Sequence, residues 1–193
     1  AFDPVLDYCV VKIPRFTFEK FPETPDRLGT AMKSVGEAMA VGRTFTEALQ
    51  KGLRSLEIGA YGLEDGDHLD ESDEAVSLSL DEIEQKLVVP SSRRIFYLRQ
   101  AFAAGMALET IAVLTGIDPW FLNQIRRIVE LEQEIAETRG PLPEPLLRKA
   151  KSWGFSDRQI ARIAGVTEET LMRHRKLLKI IPAYKLVDTC AGE

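Results

Sequence analysis

The sequence predicts a mainly α protein, a helical bundle preceded by a small α/β piece. Three observations carry this. Beyond residue 80, apolar residues recur at helical spacing in successive segments, each opened by a cap residue or closed by Gly or Pro. Ahead of them lie two short β-prone runs and one amphipathic helix. Between the two regions runs an acidic, apolar-poor stretch. At 193 residues, 45% hydrophobic and 28% charged, the chain can build a core and has room for one or two domains.

The first strand signal is Val10-Val11-Lys12-Ile13, closed by Pro14, which has no N–H for a strand interior. The second is Ala38-Met39-Ala40-Val41, stopped by Gly42. Between them, Met32-Lys33-Ser34-Val35-Gly36-Glu37 sets a cation and a carboxylate among apolar neighbours, so Glu37 reads as a buried charge. Thr44 then caps a helix, with Glu47 completing a capping box. Phe45, Ala48, Leu49, Leu53 and Leu56 form its apolar stripe, and Gly59 stops it. Two strands and a helix are too little for independent stability, so this region calls for a larger sheet to complete it.

The helices that follow are read in order. Asp81–Leu87 is a short amphipathic helix ending before Pro90. Ser92 caps a helix carrying Ile95, Phe96, Leu98, Phe102 and Met106. Leu108–Leu114 is closed by Gly116. Asp118-Pro119 is a start signal for a helix reaching Thr138, with Phe121, Leu122, Ile125, Val129 and Ile135 on its apolar face. Gly140-Pro141-Leu142-Pro143 breaks the chain before Glu144–Trp153, Asp157–Ile163 and Glu168–Leu178.

Charge is unevenly placed within the net −5. From Glu64 to Ser92 ten acidic residues face Lys86 alone, whereas Gly140–Glu193 holds ten Lys/Arg against six Asp/Glu. The stretch from Glu64 reads as a solvated connector. The spacing from Asp65 or Asp67 does not fit the twelve-residue calcium loop or its closing Glu. No apolar run approaches the roughly 18–20 residues that span a bilayer, and no signal peptide is expected. Cys9 and Cys190 read as reduced thiols, in keeping with a cytoplasmic chain. His68 and His174 read as surface residues without metal-ligand spacing. No phosphate cradle and no nucleophile–base pair can be assembled, so no catalytic residue, cofactor ligand or metal ligand is assigned.

An internal repeat relates Ile111-Ala112-Val113-Leu114-Thr115-Gly116-Ile117 to Ile160-Ala161-Arg162-Ile163-Ala164-Gly165-Val166, offset by 49 residues. Each copy is a short helix, a Gly turn, a cap and a longer helix. This pattern serves a helix-turn-helix reader of DNA or a plain packing unit. Arg173, His174, Arg175, Lys176 and Lys179 favour the first reading. The acidic first copy (Glu130, Glu132, Glu134, Glu137) and the acidic total favour packing and no nucleic-acid partner.

KIPRFTFEKF (Lys12–Phe21), MKSVGEAMAVGRT (Met32–Thr44) and YKLVDTCAGE (Tyr184–Glu193) resemble the large subunit of carbamoyl-phosphate synthase. GIDPWFLNQI (Gly116–Ile125) and Ala164–Val166 are similar to its oligomerisation region. The resemblance covers nearly the whole chain and implies an excised piece of a longer protein. The expected division is residues 1–59 as the end of the first ATP-grasp half, 60–183 as an all-α oligomerisation domain, and 184–193 as a linker toward the second ATP-grasp half. The family makes carbamoyl phosphate from bicarbonate, glutamine-derived ammonia and two ATP, with Mg or Mn and K as metals. It serves pyrimidine and arginine biosynthesis in the cytoplasm. None of these cofactors is expected on this segment, whose isolated form should be inactive. The implied partners are a glutaminase small subunit and other large subunits, with self-association through the helical region and no membrane partner.

By motif match, Met32, Val35 and Glu37 correspond to positions lining the family's internal tunnel. Apolar walls exclude water from an unstable intermediate, and a carboxylate orders what passes. The alternative makes Met32 and Val35 ordinary core residues and pairs Glu37 with Lys33 or Arg43. Glu64–Glu84 and Pro141–Pro145 match no family motif, so no interface residue is assigned. The alternative function is an acidic helical adaptor with a degenerate helix-turn-helix, binding protein or DNA.

Overall fold

The computed structural model describes residues 8–20, 23–63, 78–138 and 140–187. Two strands and eight helices lie among them: β1 (Cys9–Phe16), β2 (Ser34–Gly42), α1 (Phe45–Ser55), α2 (Leu80–Val88), α3 (Arg94–Ala103), α4 (Leu108–Thr115), α5 (Pro119–Thr138), α6 (Glu144–Ser152), α7 (Asp157–Ala164) and α8 (Glu168–Leu177). The mainly α architecture with a small α/β piece is therefore what the chain adopts. Asp65, Asp67, His68 and Cys190 lie outside the described residues, whereas Cys9 is a free thiol.

β1 and β2 form a two-stranded antiparallel sheet, with Val10 opposite Val41, Lys12 opposite Met39 and Pro14 opposite Glu37. Pro14 does not end β1. A two-stranded sheet leaves each strand with a free edge, where a missing N–H breaks no ladder bond. α1 lies across the inner face, with Ile13 and Ala40 against Gly52. Thr44 caps α1, accepting from the Glu47 N–H at 3.3 Å. The capping box is only half made, because the Glu47 carboxylate accepts from the Arg43 N–H, one residue upstream of the cap. The helix ends at Ser55, ahead of Gly59, with Glu57 taking up a left-handed conformation.

Leu49 and Leu53 of α1, with Leu56 at its C-cap, share one core with Leu87, Phe96, Ile111, Leu122, Ile128, Leu131, Ile135, Leu147, Ile160 and Leu171 of the helices and with Phe155 between α6 and α7. Ser79 opens α2 with a complete capping box to Glu82. Ser92 does not cap α3: its N–H and hydroxyl both donate to the Asp26 carboxylate, at 2.9 and 2.6 Å. α5 starts as expected, with the Trp120 N–H donating to Asp118 Oδ1 at 2.8 Å. Phe121, expected on its buried face, is exposed and meets Phe45 and Trp120 edge-on; the buried stripe includes Ile128 and Leu131 instead. Arg99 of α3 donates twice to Glu132 of α5, an ion pair largely shielded from solvent.

The repeat is longer than the sequence showed. α3–α4–α5 and α6–α7–α8 correspond helix for helix at the same offset. Gly105 and Gly154 both take positive φ (81° and 88°), and Gly116 and Gly165 share a φ of 68°. The Met106 N–H returns to the Ala101 carbonyl at 3.0 Å, and the Phe155 N–H to the Ala150 carbonyl at 3.1 Å. These are left-handed helix C-caps, which close a helix by satisfying its last carbonyls. The copies diverge in length, since α5 has 20 residues and α8 has 10.

Candidate functional site

The stretch from Lys12 to Thr44 folds as the hairpin. Its side chains alternate between a face packed on α1 and a face turned outward. Val11 and Ile13 point inward, and Val10, Lys12 and Pro14 outward. On β2, Ala38, Ala40 and Gly42 line the inner side, while Val35, Glu37 and Met39 lie outward. From Val10 to Pro14 and from Glu37 to Gly42 this parity follows from the two-residue strand period; the register shifts between Arg15 and Phe16, where Val35 has no partner on β1 and stays exposed.

Glu37 is therefore not buried: its side chain is 55% exposed. Its partner is neither Lys33 nor Arg43. Lys12 Nζ sits 2.8 Å from Glu37 Oε1, a diagonal pair across the hairpin. Lys33 instead donates to the carbonyls of Pro25 and Arg27, at 3.0 and 2.8 Å, and lies over the Phe18 ring. Met32 falls two residues before β2 and is 88% exposed; Val35 is 61% exposed. Neither is a core residue of this chain. Val35 and Glu37 share the outward face with Met39 and Lys12, two residues that sequence reasoning did not single out. Counting strand parity from Glu37 to Met39, and from Val10 to Pro14, would have found both.

The loop ahead of Met32 is tied to the helices. Asp26 holds Ser92, and the Leu28 N–H donates to the Pro90 carbonyl at 2.7 Å. This attaches the base of the outward face to the link between α2 and α3.

A second polar cluster joins α1 to the second repeat copy. Arg54 donates to the Gly154 carbonyl, and its burial there lowers its pKa against the raising charges of Asp157 and Glu47. Asp157 meets Lys151 at 2.8 Å and Arg175 at 2.9 Å. Burial raises the Asp157 carboxyl, yet the hydrogen bonds and charges of Lys151 and Arg175 outweigh it and hold the group below the ordinary range. Lys151 is lowered chiefly by its own burial. Nearby, Leu63 is gripped by two buried glutamines: Gln50 accepts from its N–H and Gln159 donates to its carbonyl. These are contacts that fix helices to one another. They present no nucleophile and no base to an open cavity.

The basic residues of α8 are largely engaged in the fold. Arg175 also donates to the Ile180 carbonyl at 2.7 Å, Arg173 pairs with Glu169, and His174 Nε2 meets the Leu142 carbonyl at 2.7 Å. His174 is thus half-buried rather than a plain surface residue. A cleft of about 250 Å³ runs beside it, walled by Pro141, Val166, Leu171 and Leu177. Among the described residues, no cluster of three His, Cys, Asp or Glu side chains is placed to hold a metal, and no helix is long and apolar enough to cross a membrane.

Residues 37–179 match a family model described as the carbamoyl-phosphate synthetase large chain, oligomerisation domain. Several relatives align with the whole chain. It is 50% identical to the carbamoyl phosphate synthase large chain of Archaeoglobus fulgidus and 49% identical to that of Pseudomonas aeruginosa, spanning 18% of each. It is 48% identical to the large chain's N-terminal section from Methanopyrus kandleri, of which it spans 36%. A match over most of the length, falling on the helices that share the core, leaves one conclusion: the chain belongs to the carbamoyl-phosphate synthetase large chain family, through its oligomerisation domain.

Proposed function

We propose that this chain acts as the assembly segment of a glutamine-dependent carbamoyl-phosphate synthase large chain, a ligase. The proposed reaction of the whole protein makes carbamoyl phosphate from bicarbonate, glutamine-derived ammonia and two ATP, with Mg or Mn and K held by its other parts. Its partners are a glutaminase subunit and further large chains, its setting is the cytoplasm, and its product feeds pyrimidine or arginine synthesis. The observation that carries the assembly reading is the oligomerisation-domain match over residues 37–179, which coincides with the α1–α8 core. Sedimentation velocity of the chain over rising concentration tests it. Concentration-dependent association is expected, and a strict monomer throughout would remove the helical region as a self-association unit.

The tunnel-wall role of Met32, Val35 and Glu37 is part of the same reading. What supports it is their exposure: Val35 and Glu37 stand on the outward face of β2 and Met32 is exposed just ahead of it, free to line a passage completed by the rest of the protein. A dry apolar wall slows loss of a water-labile intermediate, and Glu37 held by Lys12 supplies a fixed charge. Glu37→Ala in the full-length enzyme should raise glutamine hydrolysed per carbamoyl phosphate formed, while both partial reactions persist. Unchanged stoichiometry at normal synthesis would remove the role.

A further inference from the structure

We infer that β2, and not β1, is the strand through which this hairpin joins a larger sheet, and that its occupant is an extended strand from the large chain outside this segment. The inference rests on the reading above, that the chain is one section of a longer large chain. The relatives supply ample chain for the purpose, since this segment spans 18% of the Archaeoglobus fulgidus protein.

Two observations fix which backbone groups point outward. The Val41 carbonyl accepts from Lys51 Nζ at 3.2 Å, which fits Val10 opposite Val41 as a non-hydrogen-bonded pair whose backbone groups turn outward. Antiparallel pairs alternate, so Lys12 opposite Met39 and Pro14 opposite Glu37 are of the same kind. Proline independently demands that parity, because it has no N–H to give to a partner within the pair. The outer edge of β1 therefore presents Val10, Lys12 and then Pro14, with its donor row broken in mid-strand. Proline is confined to strands that end a sheet. Among the described residues, the outer edge of β2 presents the N–H and carbonyl groups of Glu37 and Met39, up to the Val41 carbonyl that Lys51 closes.

The outward face agrees. Val35 and Met39 are 61% and 68% exposed, and Lys12 and Glu37 pair between them. A further strand paired at that edge would extend this exposed face sideways and leave it open as the wall of a passage.

Amide hydrogen exchange, read residue by residue in this chain and in the intact large subunit, tests the inference. Within this chain, Val11, Ile13, Ala38 and Ala40 are protected by the hairpin, whereas Glu37 and Met39 exchange quickly. In the intact subunit, Glu37 and Met39 are expected to slow by about tenfold or more while Val10 and Lys12 stay fast. Fast exchange at Glu37 and Met39 in the intact subunit, or slowed exchange at Val10 and Lys12, overturns it. Neither outcome touches self-association, which sedimentation reads independently.

Discussion

Leu53 belongs by position to the α/β piece and by packing to the helices. It lies on α1, its side chain is 1% exposed, and it belongs to the same buried cluster as leucines and isoleucines of α2 to α8. Leu53→Ala deletes three buried carbons and leaves a cavity that close-packed helices cannot fully collapse. Such a change costs about 2–5 kcal/mol, out of a total stability of roughly 5–15 kcal/mol. At about 2–4 °C per kcal/mol for a chain of this size, a mid-range loss lowers the melting temperature by roughly 7–14 °C. The two tryptophans report from separate places. Trp120 packs on Phe45 at the start of α1, with ring centroids 5.5 Å apart, whereas Trp153 follows α6 under Arg127 and Lys149. If α1 is built into the helical core, both fluorescence transitions fall together in Leu53→Ala. Met39→Ala, on the exposed face, should stay within about 0.5 kcal/mol of the parent. A shift at Trp120 with Trp153 melting unchanged would refute the shared core and make α1 an independent layer.

Two further outcomes follow from the polar links between α1 and the second repeat copy. Gly105→Ala and Gly154→Ala impose the same left-handed strain, about 1–2 kcal/mol. Only at Gly154 would the new Cβ meet α1, 2.8 Å from the Glu47 carbonyl oxygen, so Gly154→Ala should melt clearly below Gly105→Ala; equal losses would deny that contact its rigidity. Asp157 contributes stability through a carboxyl held low, which is present above the unfolded value of about 3.9 and lost as pH falls through the lower folded value. The denaturation midpoints of parent and Asp157→Asn should differ at neutral pH and converge below about pH 4. A gap that persists undiminished at low pH would show that packing, not charge, sets the effect.

Much of the fold was legible because the deciding forces are local. Asp118-Pro119 placed the start of α5, Gly116 the end of α4, and the 49-residue repeat matched two helix-turn-helix copies. Caps were less reliable where a competing partner stood nearby. Ser92 had the chemistry of an N-cap, yet Asp26, 66 residues away in sequence, holds it. Thr44 kept its cap, while Glu47 was drawn one residue upstream to Arg43. The upstream third of each repeat escaped notice because α3 and α6 share few residues; their likeness lies in backbone hydrogen bonds and glycine φ values.

The candidate site shows the same division. The motifs around Met32, Val35 and Glu37 carry the family resemblance, and helix periodicity with its punctuation sets the architecture, since both are written in neighbouring residues. Whether Glu37 is buried, and which cation it meets, is decided by strand register. That register is set by α1 covering one face of the hairpin, so Lys12 and Glu37 are placed together on the other. Pairing across strands depends on which face the core claims, and a one-residue slip would reverse it. A contact between residues 25 positions apart is therefore a property of packing rather than of either residue's local sequence.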